Sequence, residues 1–400
     1  MKNSLLPKWQ IPAPFVIHFR MVKKHLFLFS VLYIMQGCVA PNSVTLKGEK
    51  TLTNGQQERE LSVLLLPSYE AIALETTDNS LIKHINRLYC YQDTLFVFDR
   101  AMKRINLFNR NGKYIRTLSH VGQGPGEYVQ IQDFCLDAKN KRIILSCDVP
   151  HKFLYYSFSG DFLKEVSLPL CYTEIICNET HLYGLVEEEE GNRIEILDLD
   201  GNQIDQIEIP AISLKIDTPT HKHTFAAGHR MSVYKGVVFL TCPYDNAIYT
   251  LQNNELYKKY ELDFKEQTLP QRLLNEQISS TDFSKQCRAN NWVCTILDIA
   301  QTQNTLFFRT NSGFFLCNKK EGTMTNYRIL SLLDIGGTSS VQKMYGTNEI
   351  VEIFPGQMFQ KLLNNYVKYQ GDEKKLTPKL LDIYHTIDKD SNPVLILCKI

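Results

Sequence analysis

Residues 93–119 read DTLFVFDRAMKRINLFNRNGKYIRTLS. Three short strand-like runs stand out: Leu95–Phe98, Ile105–Phe108 and Tyr114–Leu118. A polar corner, Asp99 to Arg104, separates the first two, and Asn111-Gly112 separates the last two. Runs of four or five residues rich in aromatic and β-branched side chains, bounded by turn residues, read as strands. Asn-Gly between two such runs is a strong hairpin signal, because both residues of a two-residue hairpin turn must tolerate positive φ. The stretch is therefore read as strand, corner, strand, tight turn, strand.

The same order recurs. KRIILSCDVPHKFLYYSFSGDFLKEVSL (141–168) turns at Ser159-Gly160, and HLYGLVEEEEGNRIEILDLDGNQIDQIEI (181–209) at Asp200-Gly201. GVVFLTCPYDNAIYTLQNNELYKKYEL (236–262) turns at Asn253-Asn254, and NTLFFRTNSGFFLCNKKEGTMTNYRIL (304–330) at Glu321-Gly322. Gly112, Gly160 and Gly201 lie about 40–50 residues apart, the length of one four-stranded propeller blade. A sixth unit needs Ser339–Pro355, the C-terminal NPVLILCKI and the segment Tyr69–Glu75. Joining both chain ends in one sheet closes a ring and removes exposed strand edges. The expectation is an all-β, six-bladed β-propeller over residues 61–400. A β-sandwich is the rival parse. Helical spacing appears late in the chain, in Leu269–Trp292, in GQMFQKLLNNYVKYQ (356–370) and in LTPKLLDIYHTI, where Thr377 is the expected N-cap and Pro378 the first helical residue.

The N-terminus has a different character. MVKKHLFLFSVLYIMQGC places Lys23 and Lys24 before an apolar run, Leu26–Met35, that ends at Gly37-Cys38. A run of about ten residues is too short to cross a bilayer, which needs about 20, and it fits a secretory signal. A small residue directly before cysteine resembles a bacterial lipoprotein signal, with Cys38 as the lipidated residue. Residues 1–37 are thus read as a signal region with Met21 as the true start, and residues 38–60 as a flexible tether. Removing 1–37 removes Lys2, Lys8, Arg20, Lys23 and Lys24 and no acid, which takes the formal charge from +1 to −4. That balance leaves no polybasic patch for lipid or nucleic acid. The eleven cysteines include no CxxC, and most lie inside apolar runs, as buried thiols do.

After Ser119 the chain continues HVGQGPGEYVQ (120–130). A phosphate-binding glycine loop would open a helix, but a strand is expected here. The loop is read as a crossover between blades, with Gly122, Gly124 and Gly126 supplying special backbone angles and Pro125 stiffening it. The run from Leu95 to Tyr128 resembles the six-bladed β-propeller lipoproteins of Bacteroidetes, relatives of NHL-repeat and TolB-like propellers. The matching positions are Asp99, Phe108, Asn111, Gly112, Lys113, Gly122, Gly124, Pro125, Gly126, Glu127 and Tyr128, and DSNPVLILCKI resembles the family's ending. The resemblance covers residues 65–400. It implies a propeller with an envelope address, and no established reaction. Lipoproteins exported to the cell surface in that phylum carry acids just after the lipidated cysteine. No acid follows Cys38 before Glu49, which implies an outer-membrane lipoprotein facing the periplasm.

No GxSxG or HExxH occurs, and no cofactor is expected. His221 and His223 share a strand face and are the metal candidates, near His229. The run Glu187–Glu190 is read as a solvated hairpin tip. Corner residues should gather on one face with the crossover loops. That nominates Arg100, Lys103, Arg104, Glu127, Tyr128, Asp148, His151, Lys152, Tyr244, Asp245 and Asn246 as a face for a polar ligand or an envelope partner protein. The expected function is a binding or scaffold module, touching the membrane only through its lipid. The alternative is a hydrolase or lyase using the central channel. Three or more converging ionisable groups with shifted pKa there would favour the enzyme, and a small, apolar lining would favour binding.

Overall fold

The strand–corner–strand–turn units form four-stranded antiparallel meanders. The computed structural model describes residues 50–55, 63–65, 68–188, 191–210, 228–275, 277–331, 337–338 and 341–400. The first sheet takes strands 87–91, 94–99, 104–109 and 114–118, and the second 131–137, 142–147, 152–157 and 162–167. The third takes 174–177, 181–188, 191–198 and 203–209. Strands 231–234 to 255–263 and strands 296–301 to 323–327 form two further meanders. The last sheet takes 341–343, 349–354, 394–399 and, from the other end of the chain, 70–73. Together these make a mostly β, propeller-like arrangement with a few helices.

The two meanders after residue 230 are joined into one nine-stranded sheet by Lys50–Asn54. This strand runs parallel to both outer strands, pairing Lys50 with Tyr260 and Thr53 with Thr323. Leu52 is fully buried there. Residues 50–54 therefore depart from the tether expected over 38–60: alternate burial along KTLTN fills the seam between two sheet edges. The signal region and Cys38 lie outside the described residues.

The turns also differ in kind from the two-residue hairpins expected. At 112, 160 and 201 only the glycine has positive φ, at +83°, +89° and +93°. Each follows the same ladder: Asn109 N–H donates to Lys113 O at 2.8 Å and Gly112 N–H to Asn109 O at 2.9 Å. A bulge sits between Leu107 and Phe108. This is a type I turn closed by a left-handed glycine, the three-residue alternative. Asn253-Asn254 is a true two-residue turn with both φ positive.

The chain ends meet where expected. Strand Val394–Lys399 pairs with Glu349–Phe354 on one side and Glu70–Ala73 on the other. Buried Asn392 fastens the junction: its amide donates to Glu75 O and Ser80 O, each at 2.9 Å, and its carbonyl accepts from Ile82 N–H at 2.8 Å. Among the described residues four α-helices decorate the sheets. α1 (Gln271–Asn275) and α2 (Ser280–Asn290) bury Leu273, Leu274, Phe283 and Cys287 with Trp292 and Cys294. α3 (Gly356–Gln370) and α4 (Pro378–Thr386) lay Phe359, Leu363, Leu380 and Ile383 on the last sheet. Thr377 caps α4 by accepting from Leu380 N–H at 3.3 Å, with Pro378 behind it. Most described cysteines are buried, and Cys287 and Cys294 touch at 3.1 Å between sulfurs.

Candidate functional site

The first strand of each meander lines the axis, and each brings an ionisable group there. Arg87 opens strand 87–91, Asp133 lies in 131–137, Glu174 opens 174–177, Asp298 lies in 296–301 and Lys343 ends 341–343. His229 and Arg230 directly precede strand 231–234. Arg87 is 0% exposed, Asp133 and Asp298 1% each, and Lys343 4%. Charges removed from water this completely cost several kcal/mol each unless partners replace the lost hydration.

The partners are present for most of them. Arg87 Nη1 forms a close ion pair with Asp133 Oδ2 and donates to Ile175 O at 2.9 Å. Ile175 N–H donates to the same Asp133 oxygen at 2.9 Å. Glu174 accepts from Arg230 N–H at 2.8 Å and Met231 N–H at 2.9 Å. Arg309 donates to Asp298 Oδ2 through Nε at 2.9 Å and Nη2 at 2.6 Å. His229 stands between two carboxylates, 3.7 Å from Asp133 and 3.8 Å from Asp298. Asp298 reaches this position from a bulged backbone at φ +54°, a conformation that surrounding contacts must hold in place. Two tyrosine rings complete the cluster: Arg87 Cζ lies 5.3 Å from the Tyr89 centroid and 4.2 Å from that of Tyr345.

Titration follows from these neighbours. Burial alone would raise the Asp133 carboxyl, but Arg87 and then His229 overcome it and hold the pKa at about 2. Asp298 is likewise held at about 2, with Arg309 and His229 outweighing burial. Burial and Arg87 oppose the His229 imidazolium, yet Asp133 and Asp298 together raise its pKa. Burial raises Glu174, since His229 and Arg87 compensate it incompletely. Lys343 is pushed down to about 7, by burial first and by Arg87 second.

The corner residues nominated from sequence lie elsewhere, and several are engaged in holding turns. Arg100 Nη2 donates to Gln132 O at 2.6 Å, and Arg104 donates to Leu81 O. Lys152 is buried and pairs with Glu165 at 3.1 Å. Asp148 and His151 pair with each other at 3.4 Å and stay exposed. Asp245 accepts from the Tyr249 hydroxyl, Asn246 O accepts from Leu262 N–H at 2.8 Å, and the Tyr244 ring packs on Phe283. Glu187 is an ion-pair partner of Arg230 at 2.7 Å, not a solvated tip residue. His221 and His223 fall outside the described residues. Among the described residues no group of three His, Cys, Asp or Glu side chains could hold a metal.

The glycine loop is a crossover built around its own polar residues. Glu127 Oε2 accepts from Gly124 N–H at 2.8 Å. Tyr128 is fully buried; its hydroxyl donates to Lys103 O at 2.9 Å and accepts from His120 N–H at 3.1 Å. Tyr128 therefore joins loop to corner and presents no face to a ligand. Gly126 has φ +72°, and a Cβ there would stand 2.8 Å from the Phe162 ring. Gly126→Ala is expected to cost about 1 kcal/mol or more, and Tyr128→Phe about 1 kcal/mol from the orphaned Lys103 carbonyl and His120 amide. Urea unfolding of both variants checks this; an unchanged midpoint for Tyr128→Phe would remove the structural role.

A cavity of about 560 Å³ opens away from the axis, beside the outer strand Glu70–Ala73, with Tyr69, Arg110, Asn111, Thr377 and Lys379 among its walls.

A family model described as "Domain of unknown function (DUF4934)" matches residues 46–399. No curated protein matches the chain. A solved structure from Bacteroides fragilis NCTC 9343, of a protein provisionally described as exported, is 17% identical with a TM-score of 0.64, covering 88% of this chain and 99% of that one. At that identity the likeness shows the fold alone. The WD40 β-propeller domain of Doa1 is 10% identical with a TM-score of 0.41, over 84% of this chain and 98% of that one.

Proposed function

The chain belongs to the DUF4934 family, and on that premise we propose that it is a binding or scaffold module of the bacterial envelope, built as a six-bladed propeller. The blade count rests on dividing the nine-stranded sheet at Lys50–Asn54, which leaves six meanders of four strands. The envelope address rests on the signal-like segment before Cys38 and agrees with the exported description of the Bacteroides fragilis structure.

One observation carries the binding reading: the axial carboxylates are already engaged by partners within the protein. Asp133, Glu174 and Asp298 are each engaged by a guanidinium or by backbone amides, and all are almost wholly buried. Converging groups of shifted pKa are also the pattern that favours a hydrolase or lyase. A catalytic acid or base, however, must reach its substrate, and these carboxylates are closed in by their partners. A partner protein would then engage the outer surfaces of the ring. The second reading keeps one supporting observation, the Lys343 amine near pKa 7.

Cross-linked membranes carrying the tagged protein, wild type or Cys38→Ala, test both parts. A discrete partner should be captured with the wild type, and the variant should move to the soluble fraction. A variant that stays membrane-bound with a lipid label overturns the anchor. Capture of no partner, together with turnover of an ester or glycoside panel, overturns the scaffold reading.

A further inference from the structure

Arg87 and Lys343 occupy equivalent positions, each two residues before an axial tyrosine, in Arg87-Leu88-Tyr89 and Lys343-Met344-Tyr345. The tyrosines pair in parallel. Cys90 N–H donates to Tyr345 O at 2.8 Å and Tyr345 N–H to Leu88 O at 2.9 Å. Residues two positions back share the tyrosines' face of a strand, so this register brings two cationic side chains together where the first and last sheets meet. Both flank one ring: the Tyr345 centroid is 4.2 Å from Arg87 Cζ and 5.3 Å from Lys343 Nζ. Like charges side by side on adjacent strands repel, and burial strengthens the repulsion.

The donors around that ring lack acceptors. Arg87 uses Nη1, whereas Nε and Nη2 make no hydrogen bond, the nearest carboxylate to Nη2 being Glu174 at 3.9 Å. The Tyr89 hydroxyl is also buried without a partner. Among the described residues the Lys343 ammonium has no hydrogen bond and no ion pair; its contact is the Tyr345 ring. Tyr345 itself donates to Met231 O at 3.2 Å. One orphaned acceptor is near, Asp133 Oδ1, faced by His229 at 3.7 Å. The unused Nε–Nη2 edge of a guanidinium is a two-donor fork whose spacing matches two oxygens of a carboxylate or phosphate.

We propose that the axis binds one small oxyanion, a carboxylate or inorganic phosphate, held by the Nε–Nη2 fork of Arg87, the Lys343 ammonium and the Tyr89 hydroxyl. The anion separates the two cations and supplies the acceptors they lack. Binding requires Lys343 to be protonated, so it takes up a proton at neutral pH. Asp133, Glu174 and Asp298 oppose the ligand and His229 favours it, which restricts the site to a single small ion.

The test uses the purified full chain at constant ionic strength, titrated with sodium acetate or sodium phosphate and read by thermal melting and calorimetry. A saturable rise in melting temperature is expected, with affinity at least about tenfold higher at pH 6 than at pH 8.5, since most of the Lys343 charge is lost across that range. Lys343→Met should weaken binding at least about tenfold, and Tyr89→Phe several-fold with the pH dependence kept. Saturation with one of the two anions identifies the oxyanion class. Excluded salts stabilise proteins without saturating, so a linear rise overturns the proposal, as does equal binding by the Lys343→Met protein. The result is independent of partner capture from membranes.

Discussion

Arg87→Met is expected to lower the unfolding free energy by about 3–5 kcal/mol at pH 7, the usual cost of removing one partner from a buried ion pair. The guanidinium enters from the first sheet, pairs with Asp133 of the second and donates to Ile175 O of the third. Methionine fills much of the same volume but leaves Asp133 charged with only Ile175 N–H and a distant imidazole for company. Asp133→Leu alone should cost a similar amount, because it strands the guanidinium. The double variant should cost clearly less than the two losses added, since an apolar pair leaves no charge behind. Urea unfolding of the four proteins gives the coupling energy. Strict additivity would mean that the ring is held together without this pair.

That pair marks the limit of what the chain discloses before it folds. The repeat is legible because each unit carries its own punctuation: Asn111-Gly112, Ser159-Gly160 and Asp200-Gly201 close the same turn locally. The closing sheet is legible because VLILC is continuously apolar and needs strands on both sides. The axial site lacks such local marks. Asp133 is one of two acids inside IQDFCLD and Asp298 the single acid inside ILDIAQ, and neither stands out from its strand in sequence. Their convergence arises only when the ring brings distant segments together. The corner residues, by contrast, attract notice through their charge. Yet Arg100 and Arg104 direct their guanidinium groups to backbone carbonyls, and Tyr128 is buried by the loop it closes. One usable signal was present: in every unit the first strand carries or adjoins at least one charged residue that the apolar pattern does not require.

Lys343→Met should stabilise the protein at pH 6 in anion-poor buffer, by a few kcal/mol, and the gain should shrink as pH rises. The sign follows from linkage. The folded-state pKa of Lys343, about 7, lies below its ordinary 10.5. Below pH 7 the amine is protonated in both states, and the full cost of burying its charge beside Arg87 is present. Between pH 7 and 10.5 the folded amine is neutral while the unfolded one still holds its proton, so wild-type stability climbs with pH. One pH unit corresponds to about 1.4 kcal/mol; the variant's advantage should fall by about 2–3 kcal/mol between pH 6 and pH 9. His229 works in the opposite direction. Its raised pKa contributes stability that is complete below about pH 6.5 and is lost as pH passes the folded value. The wild type carries both opposing trends, while Lys343→Met retains the histidine trend alone and should lose stability as pH rises through the His229 window. Asp133, Glu174 and Asp298 are common to both proteins, so they largely cancel in the difference between the curves. Tyr89 and Tyr345, raised well above their ordinary values by burial, stay neutral throughout. Urea unfolding at half-unit steps from pH 6 to 9 reads the result, and parallel curves would show that Lys343 keeps an ordinary amine's affinity for its proton.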